Sequence, residues 1–227
     1  MASSPNRPLL IAHRGMPRQA RENTLASFAL ALAAGADGIE LDVHATVDGV
    51  VVVHHDATLK RGLPIASMTL EAIQRTETSA ARRIPTLAEV CALVGGRAEL
   101  LVEIKGTNIE ALVVPVLDEY AGTVAIHSFD HACIRRLAIS GTKYRLGVLL
   151  ESSRESPTAL MRDTGALDVW PAHSIVTRAL VDEVHGMGGR VIVWTVNEPR
   201  DAERLASLGV DGICTDDVTL LRDRSGS

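Results

Sequence analysis

Eight short apolar runs alternating with longer amphipathic stretches constrain the fold of this chain more than any other feature. The runs cover residues 9–12, 38–43, 100–104, 124–126, 146–150, 167–170, 191–194 and 212–214. They are continuously apolar more than alternating, as expected of strands buried on both faces in a covered parallel sheet. Helical patterning fills residues 25–34, 86–94, 109–120, 131–139, 157–163, 177–187 and 199–208, with a short final helix at 218–222. Such alternation leaves a closed barrel or an open doubly wound sheet. No G-x-G-x-x-G follows the first run, so a dinucleotide-binding sheet lacks its signature. Eight units favour an α/β fold of the TIM (β/α)8 type. We expect residues 1–227 to form a single barrel domain, near the lower size limit for that fold.

Two junctions repeat one solution. Gly35-Ala36-Asp37-Gly38-Ile39 resembles Gly209-Val210-Asp211-Gly212-Ile213, each reading as helix end, glycine cap and strand start. One segment breaks the alternation. Val47-Asp48-Gly49 signals a turn, and residues 50–53 with His54-His55-Asp56 read as a short hairpin folded over the barrel mouth. Residues 59–84 follow as a reduced insertion over that mouth, with a short helix at 68–74.

Hydrophobic residues make up 46% of the chain and charged residues 22%, with a net charge of -5, so no basic face for nucleic acid is expected. Cys91, Cys133 and Cys214 are odd in number and far apart, which suits buried thiols in a reducing compartment. No apolar run is long enough to span a membrane. A cytoplasmic protein without stable membrane association is the default expectation, and the oligomeric state is left open.

Ionisable residues cluster where the first strands end. Glu40 and Asp42, two apart, point to one side of a strand, inward in a barrel. Two close carboxylates repel unless a proton or cation lies between them. Glu103 and Lys105 repeat the spacing on the next strand, about 5 Å away, so Glu103 can share a hard ion such as Mg²⁺ or Ca²⁺ with the first pair. His13 and His55 are the candidate acid and base. Arg14 can grip a phosphate through its planar fork or pair with Glu22 or Asp42. Asn23 or Thr24 caps the first helix, and Asp216 reads as the cap of the last one. Trp194 ends the seventh strand, as a pocket wall or a core residue. His54 faces away from His55. His44, His127, His131, His173 and His185 read as ordinary rim or core histidines.

Together these pieces resemble the glycerophosphodiester phosphodiesterase family. The matching residues are His13-Arg14-Gly15, Glu22-Asn23-Thr24, Glu40-Leu41-Asp42, Val53-x-His55-Asp56, Ile84-Pro85-Thr86-Leu87, Glu103-Ile104-Lys105, Ser128-Phe129, Trp194-Thr195-Val196-Asn197 and Gly209 to Asp216, in family order. The resemblance implies a phosphatidylinositol-phospholipase-C-like barrel with one divalent cation, Mg²⁺ or Ca²⁺. It implies His13 and His55 as the catalytic pair, Glu40, Asp42 and Glu103 as metal ligands, and Arg14 and Lys105 as phosphate contacts. The implied reaction is hydrolysis of glycerophosphodiesters to an alcohol and sn-glycerol 3-phosphate. The chain departs from the family in its short 60–83 segment, which lacks aromatic residues. Small water-soluble substrates are therefore expected over acylated ones. The alternatives are a lysophospholipase D-type enzyme on the same barrel, a non-catalytic phosphate-ligand barrel, and a sugar or amino-acid isomerase.

Overall fold

The computed structural model describes residues 7–76 and 83–221. Part of the insertion, residues 77–82, and Arg222 of the expected final helix lie outside them. Eight parallel strands close into a barrel: β1 (Leu9–His13), β2 (Gly38–Ala45), β6 (Glu99–Ile104), β7 (Val124–Ser128), β8 (Arg145–Leu150), β9 (Asp168–Pro171), β10 (Arg190–Val193) and β11 (Gly212–Thr215). β1 pairs with both β11 and β2, which completes the ring. Helices α1 (Leu25–Ala33), α3 (Leu87–Val94), α4 (Glu110–Asp118), α5 (His131–Ile139), α6 (Pro157–Thr164), α7 (Arg178–Gly186) and α8 (Pro199–Ser207) follow the strands, and residues Val218–Leu221 form a 3-10 turn.

The expected hairpin is β3 (Val51–Val53), antiparallel to β2. The insertion holds a two-strand ribbon, β4 (Thr58–Leu59) with β5 (Leu63–Pro64), and helix α2 (Leu70–Thr76). Leu59, Ile65 and Ile73 pack with Val52 and Ile84 into a small core of their own under the hairpin.

Strand periodicity divides the main core in two. Inward positions Ile11, Leu101, Ala125, Leu149, Trp170, Ile192 and Cys214 form one cluster inside the barrel. Their neighbours, such as Leu10, Ile39, Leu100 and Val193, face the helices. Gly38 is glycine because a Cβ there would come within 2.6 Å of Leu101 Cδ1, so the filled interior leaves no space for it.

The repeated junction has a hydrogen-bond basis. Gly35 and Gly209 adopt φ of 73° and 80°, conformations that glycine reaches without strain. Asp37 then accepts from the backbone N–H of Leu10 at 2.8 Å, and Asp211 from that of Val191 at 2.7 Å. Each aspartate stitches a new strand to its neighbour in the sheet.

Candidate active site

The carboxyl ends of β1, β2, β6 and β7 form the centre of the site. Register places His13 opposite Glu40, Asp42 opposite Glu103, and Glu103 opposite His127. Seven of the eight site residues expected from sequence, namely His13, Arg14, Glu40, His55, Glu103, Lys105 and Trp194, line one cavity at the barrel mouth. Asp42, the eighth, is fully buried beside it.

Tight turns place the first of these groups. Arg14 (φ 55°) and Asn23 (φ 54°) adopt the left-handed conformation that non-glycine residues rarely take. Gly15 must be glycine, since a Cβ would fall 2.3 Å from Ser27 Oγ. The turn aims the Arg14 backbone N–H at both the carbonyl and a carboxylate oxygen of Glu40, at 3.0 and 3.2 Å. Asn23 is not the helix cap. Thr24 accepts from Ser27 N–H, while Asn23 Nδ2 donates to Asp42 Oδ2 at 2.8 Å.

Each candidate catalytic histidine is anchored at one ring nitrogen. His13 Nδ1 lies 2.7 Å from Asp216 Oδ1, and His55 Nδ1 lies 2.8 Å from Asp56 Oδ1. A carboxylate partner fixes Nδ1 as the donor and leaves Nε2 for chemistry. Asn197 donates to the other oxygen of Asp216 at 2.7 Å and takes the Asp216 N–H on its own carbonyl. Asp216 thus holds the His13 ring in place, and the turn Val218–Leu221 is capped instead by Asp217, which accepts from Thr219. His54 lines a separate cleft with Glu22 and Lys60. His44, His131 and His185 are bonded to His55 O, Leu149 O and Asp211, as expected of structural histidines.

Electrostatics at the centre are unbalanced. Arg14 contacts Glu22 at 3.1 Å and lies 3.1 Å from Asp42, so both pairings expected for it occur. Lys105 Nζ sits 2.7 Å from Glu103 and 3.4 Å from Asp42. Burial disfavours an ionised Asp42, but Arg14, Lys105 and the Asn23 hydrogen bond outweigh it and hold the carboxyl below its ordinary range. Glu103 goes the other way. Burial, followed by the charge of Asp42, pushes it up to about 7. Burial also opposes protonation of His13, yet Asp216 and Glu40 raise its pKa above the usual value.

These residues fit a cation. Asp42 Oδ1 is buried without a hydrogen-bond partner, and the Lys105 ammonium, shared between Glu103 and Asp42, does not offset the burial of Glu103 and the charge of Asp42. Among the described residues, ligand atoms of Glu40, Glu103 and His127 lie within 4.8 Å of one another. Asp42 lies outside that trio, held by Asn23 and facing Lys105.

Sequence reasoning passed over Asp56, Asp216, Phe129 and His127. Phe129 and Trp194 meet edge to face at 5.5 Å, with Lys105 Nζ 5.8 Å from the Phe129 ring. β10 closes at Val193, so Trp194 stands just past the strand, donating its indole N–H to Trp170 O at 2.8 Å. The two rings make an apolar wall at the mouth, so Trp194 takes the pocket-wall place that was one of the two expected for it. The described residues of the insertion border the neighbouring cleft through Leu59, Lys60 and Thr76, and none lines the central cavity.

Two anchored imidazoles, clustered carboxylates and two cations at the mouth of a (β/α)8 barrel define a phosphodiester-cleaving hydrolase. The model of the glycerophosphoryl diester phosphodiesterase family matches residues 13–220, and the chain belongs to that family. It is 35% identical to a glycerophosphodiester phosphodiesterase of Caldanaerobacter subterraneus subsp. tengcongensis, with 94% of this chain and 96% of that one covered. A glycerophosphodiester phosphodiesterase structure from Thermotoga maritima superimposes with a TM-score of 0.82 at 26% identity, covering 95% and 97%. A phosphodiesterase from Oleispira antarctica shares the fold, with a TM-score of 0.86 at 23% identity over 94% and 95%. The chain is accordingly an enzyme, a phosphodiester hydrolase of the glycerophosphodiester phosphodiesterase family.

Proposed function

We propose that hydrolysis is carried out by His13 and His55 as the proton-transfer pair, at a centre where Glu40, Asp42 and Glu103 hold one divalent cation. The observation that carries this reading is the matched anchoring of two imidazoles, each fixed at Nδ1 by a carboxylate and each lining the cavity that holds Glu40 and Glu103. When bound, a divalent cation lowers the pKa of an oxygen nucleophile and offsets the charge that builds on the phosphoryl oxygens. Arg14 and Lys105 bind those oxygens and orient the phosphate. One histidine takes the proton of the attacking hydroxyl, either water, which gives sn-glycerol 3-phosphate directly, or the substrate's glycerol 2-hydroxyl, which gives a cyclic phosphate that a water molecule then opens to the monoester. The other delivers a proton to the departing alcohol.

Small soluble substrates suit the cavity. The Phe129–Trp194 wall is two rings wide, enough for the glycerol carbons. An acyl chain needs continuous apolar cover worth about 0.8 kcal/mol per CH₂, and the bordering cleft is lined mainly by Arg21, Glu22, His54, Asp56, Thr58 and Lys60. Product identity is supported by the Oleispira neighbour, whose structure is a complex with the product sn-glycerol-3-phosphate. A reducing, cytoplasmic setting is supported by three buried free thiols. Among the described residues, no helix is long and apolar enough to cross a membrane.

The test compares choline release from glycerophosphocholine with that from lysophosphatidylcholine, alongside a 2-deoxyglycerol analogue. We expect strong preference for the soluble diester. Equal rates on the acylated substrate would overturn the size preference. Full turnover of the 2-deoxy analogue would rule out the 2-hydroxyl as the nucleophile.

A further inference from the structure

His127 is the group in the cavity that the proposed chemistry leaves unused. It faces inward from β7, directly across from Glu103, and is 1% exposed. Its ring stacks flat on Trp170, with centroids 4.0 Å apart and planes 10° from parallel. Gly147 makes room for this stack, since a Cβ there would lie 2.9 Å from Trp170 Nε1 and 3.1 Å from His127 Cβ. The imidazole is therefore held in one orientation by packing alone.

Its hydrogen bonding is incomplete. Nδ1 is buried without a partner. Nε2 approaches Glu40 Oε1 only to 3.8 Å, beyond hydrogen-bond reach. A histidine kept only for packing would normally have its polar atoms satisfied. Here the ring's polar outlet is the cavity, where a ligand atom of His127 lies within 4.8 Å of those of Glu40 and Glu103.

We infer that His127 is a nitrogen ligand of the cation, and that it turns the site towards a first-row transition ion in preference to Mg²⁺ or Ca²⁺, with Mn²⁺ as the paramagnetic probe of that class. Magnesium and calcium favour sites built wholly of oxygen, whereas imidazole nitrogen suits borderline ions. The inference rests on the proposed cation site and adds a ligand and a selectivity to it. The stack on Trp170 supplies the orientation that an outer hydrogen bond usually gives a ligating histidine.

The test loads chelator-stripped protein with Mn²⁺ and records pulsed EPR for ¹⁴N modulation. Mn²⁺ and Mg²⁺ dissociation constants are measured in parallel for the native protein and His127→Gln. We expect nitrogen coupling in the native protein and none in the variant. Mn²⁺ affinity should fall roughly tenfold in the variant, while Mg²⁺ affinity changes less than about threefold. Mn²⁺ bound to the native protein without nitrogen coupling would overturn the role of His127 while leaving the cation site intact. Coupling that persists in His127→Gln, or a parallel fall in both affinities, would do the same. Failure of the native protein to bind either ion would overturn the cation site and this inference together.

Discussion

The two ends of the barrel interior both bury charge, and they treat it in opposite ways. At the amino ends of the strands, Arg190 pairs with Glu99 at 3.0 Å and with Asp168 at 2.7 Å, and Arg145 also pairs with Asp168. Two cations meet two carboxylates, and every one has a partner. At the carboxyl ends, Glu40, Asp42 and Glu103 crowd together with Arg14 and Lys105. Among the described residues, the buried side-chain atoms without hydrogen-bond partners are Arg14 Nε, Asp42 Oδ1, His127 Nδ1 and Trp170 Nε1, all in the site or on its floor. Closed charge holds the barrel together, and open charge waits for a ligand. In a barrel of this type, stability belongs to one end and chemistry to the other.

Substitutions at the two ends should therefore fail in different ways. The largest effect is expected for His13→Ala and His55→Ala, each lowering kcat by roughly 10²-fold or more with little change in melting temperature. Single-turnover and binding measurements would separate lost proton transfer from lost affinity. At the lower end, Asp168→Ala removes the carboxylate that Arg145 and Arg190 share and leaves Arg190 with Glu99 alone. Breaking a fully buried ion pair costs about 3–5 kcal/mol, and the loss here should be smaller because Arg145 is partly exposed. Denaturant unfolding should show that loss, while kcat per folded molecule stays near native. A crippled kcat in the folded Asp168 variant would break the division of labour.

Glu103 gives a smaller, pH-dependent test. Its carboxyl is raised to about 7 in the metal-free fold, from an ordinary value of 4.5. The folded state therefore binds more protons than the unfolded chain between those values, and its stability falls as pH rises through them. Glu103→Gln should flatten that fall, so in chelator the variant should melt higher than the native protein at pH 8, although it is catalytically poor. Asp216→Asn tests the same direction of pH dependence, here from a stabilising partner. The raised pKa of His13 adds stability that is present below its unfolded value and lost as pH rises through the folded one. The variant should be destabilised at acid pH, converge with the native protein at alkaline pH, and lose turnover modestly with an acid-shifted limb in its pH profile. The smallest effect is expected for His54→Ala, whose turnover should be near native.

The same contrast explains what could be seen in the sequence. Strands buried on both faces leave continuous apolar runs, so all eight barrel strands were recognisable within about two residues of their ends. The ionisable groups that gather at the cavity from β1, β2 and β6 were legible because paired ionisable residues at successive strand ends have no packing role. Asp216 was read as a cap because its partner, His13, lies 203 positions away, and no local pattern records that contact. Phe129 and His127 were passed over for a related reason. An inward aromatic or histidine just past an apolar run looks the same whether it faces core or cavity. Only closure of the ring showed which groups were left without partners. The assignment of Asn23 turned on geometry as well, since both it and Thr24 are good caps and only the backbone shows that Thr24 takes that position.

The central claim is that the unsatisfied upper end works only when a cation completes it. The most direct measurement is release of sn-glycerol 3-phosphate from glycerophosphocholine before chelation, after chelation, and after a divalent cation is restored, with bound metal quantified at each stage. Turnover should vanish with the ion and return with it. Full turnover in excess chelator, on protein shown to carry no metal, would contradict the account.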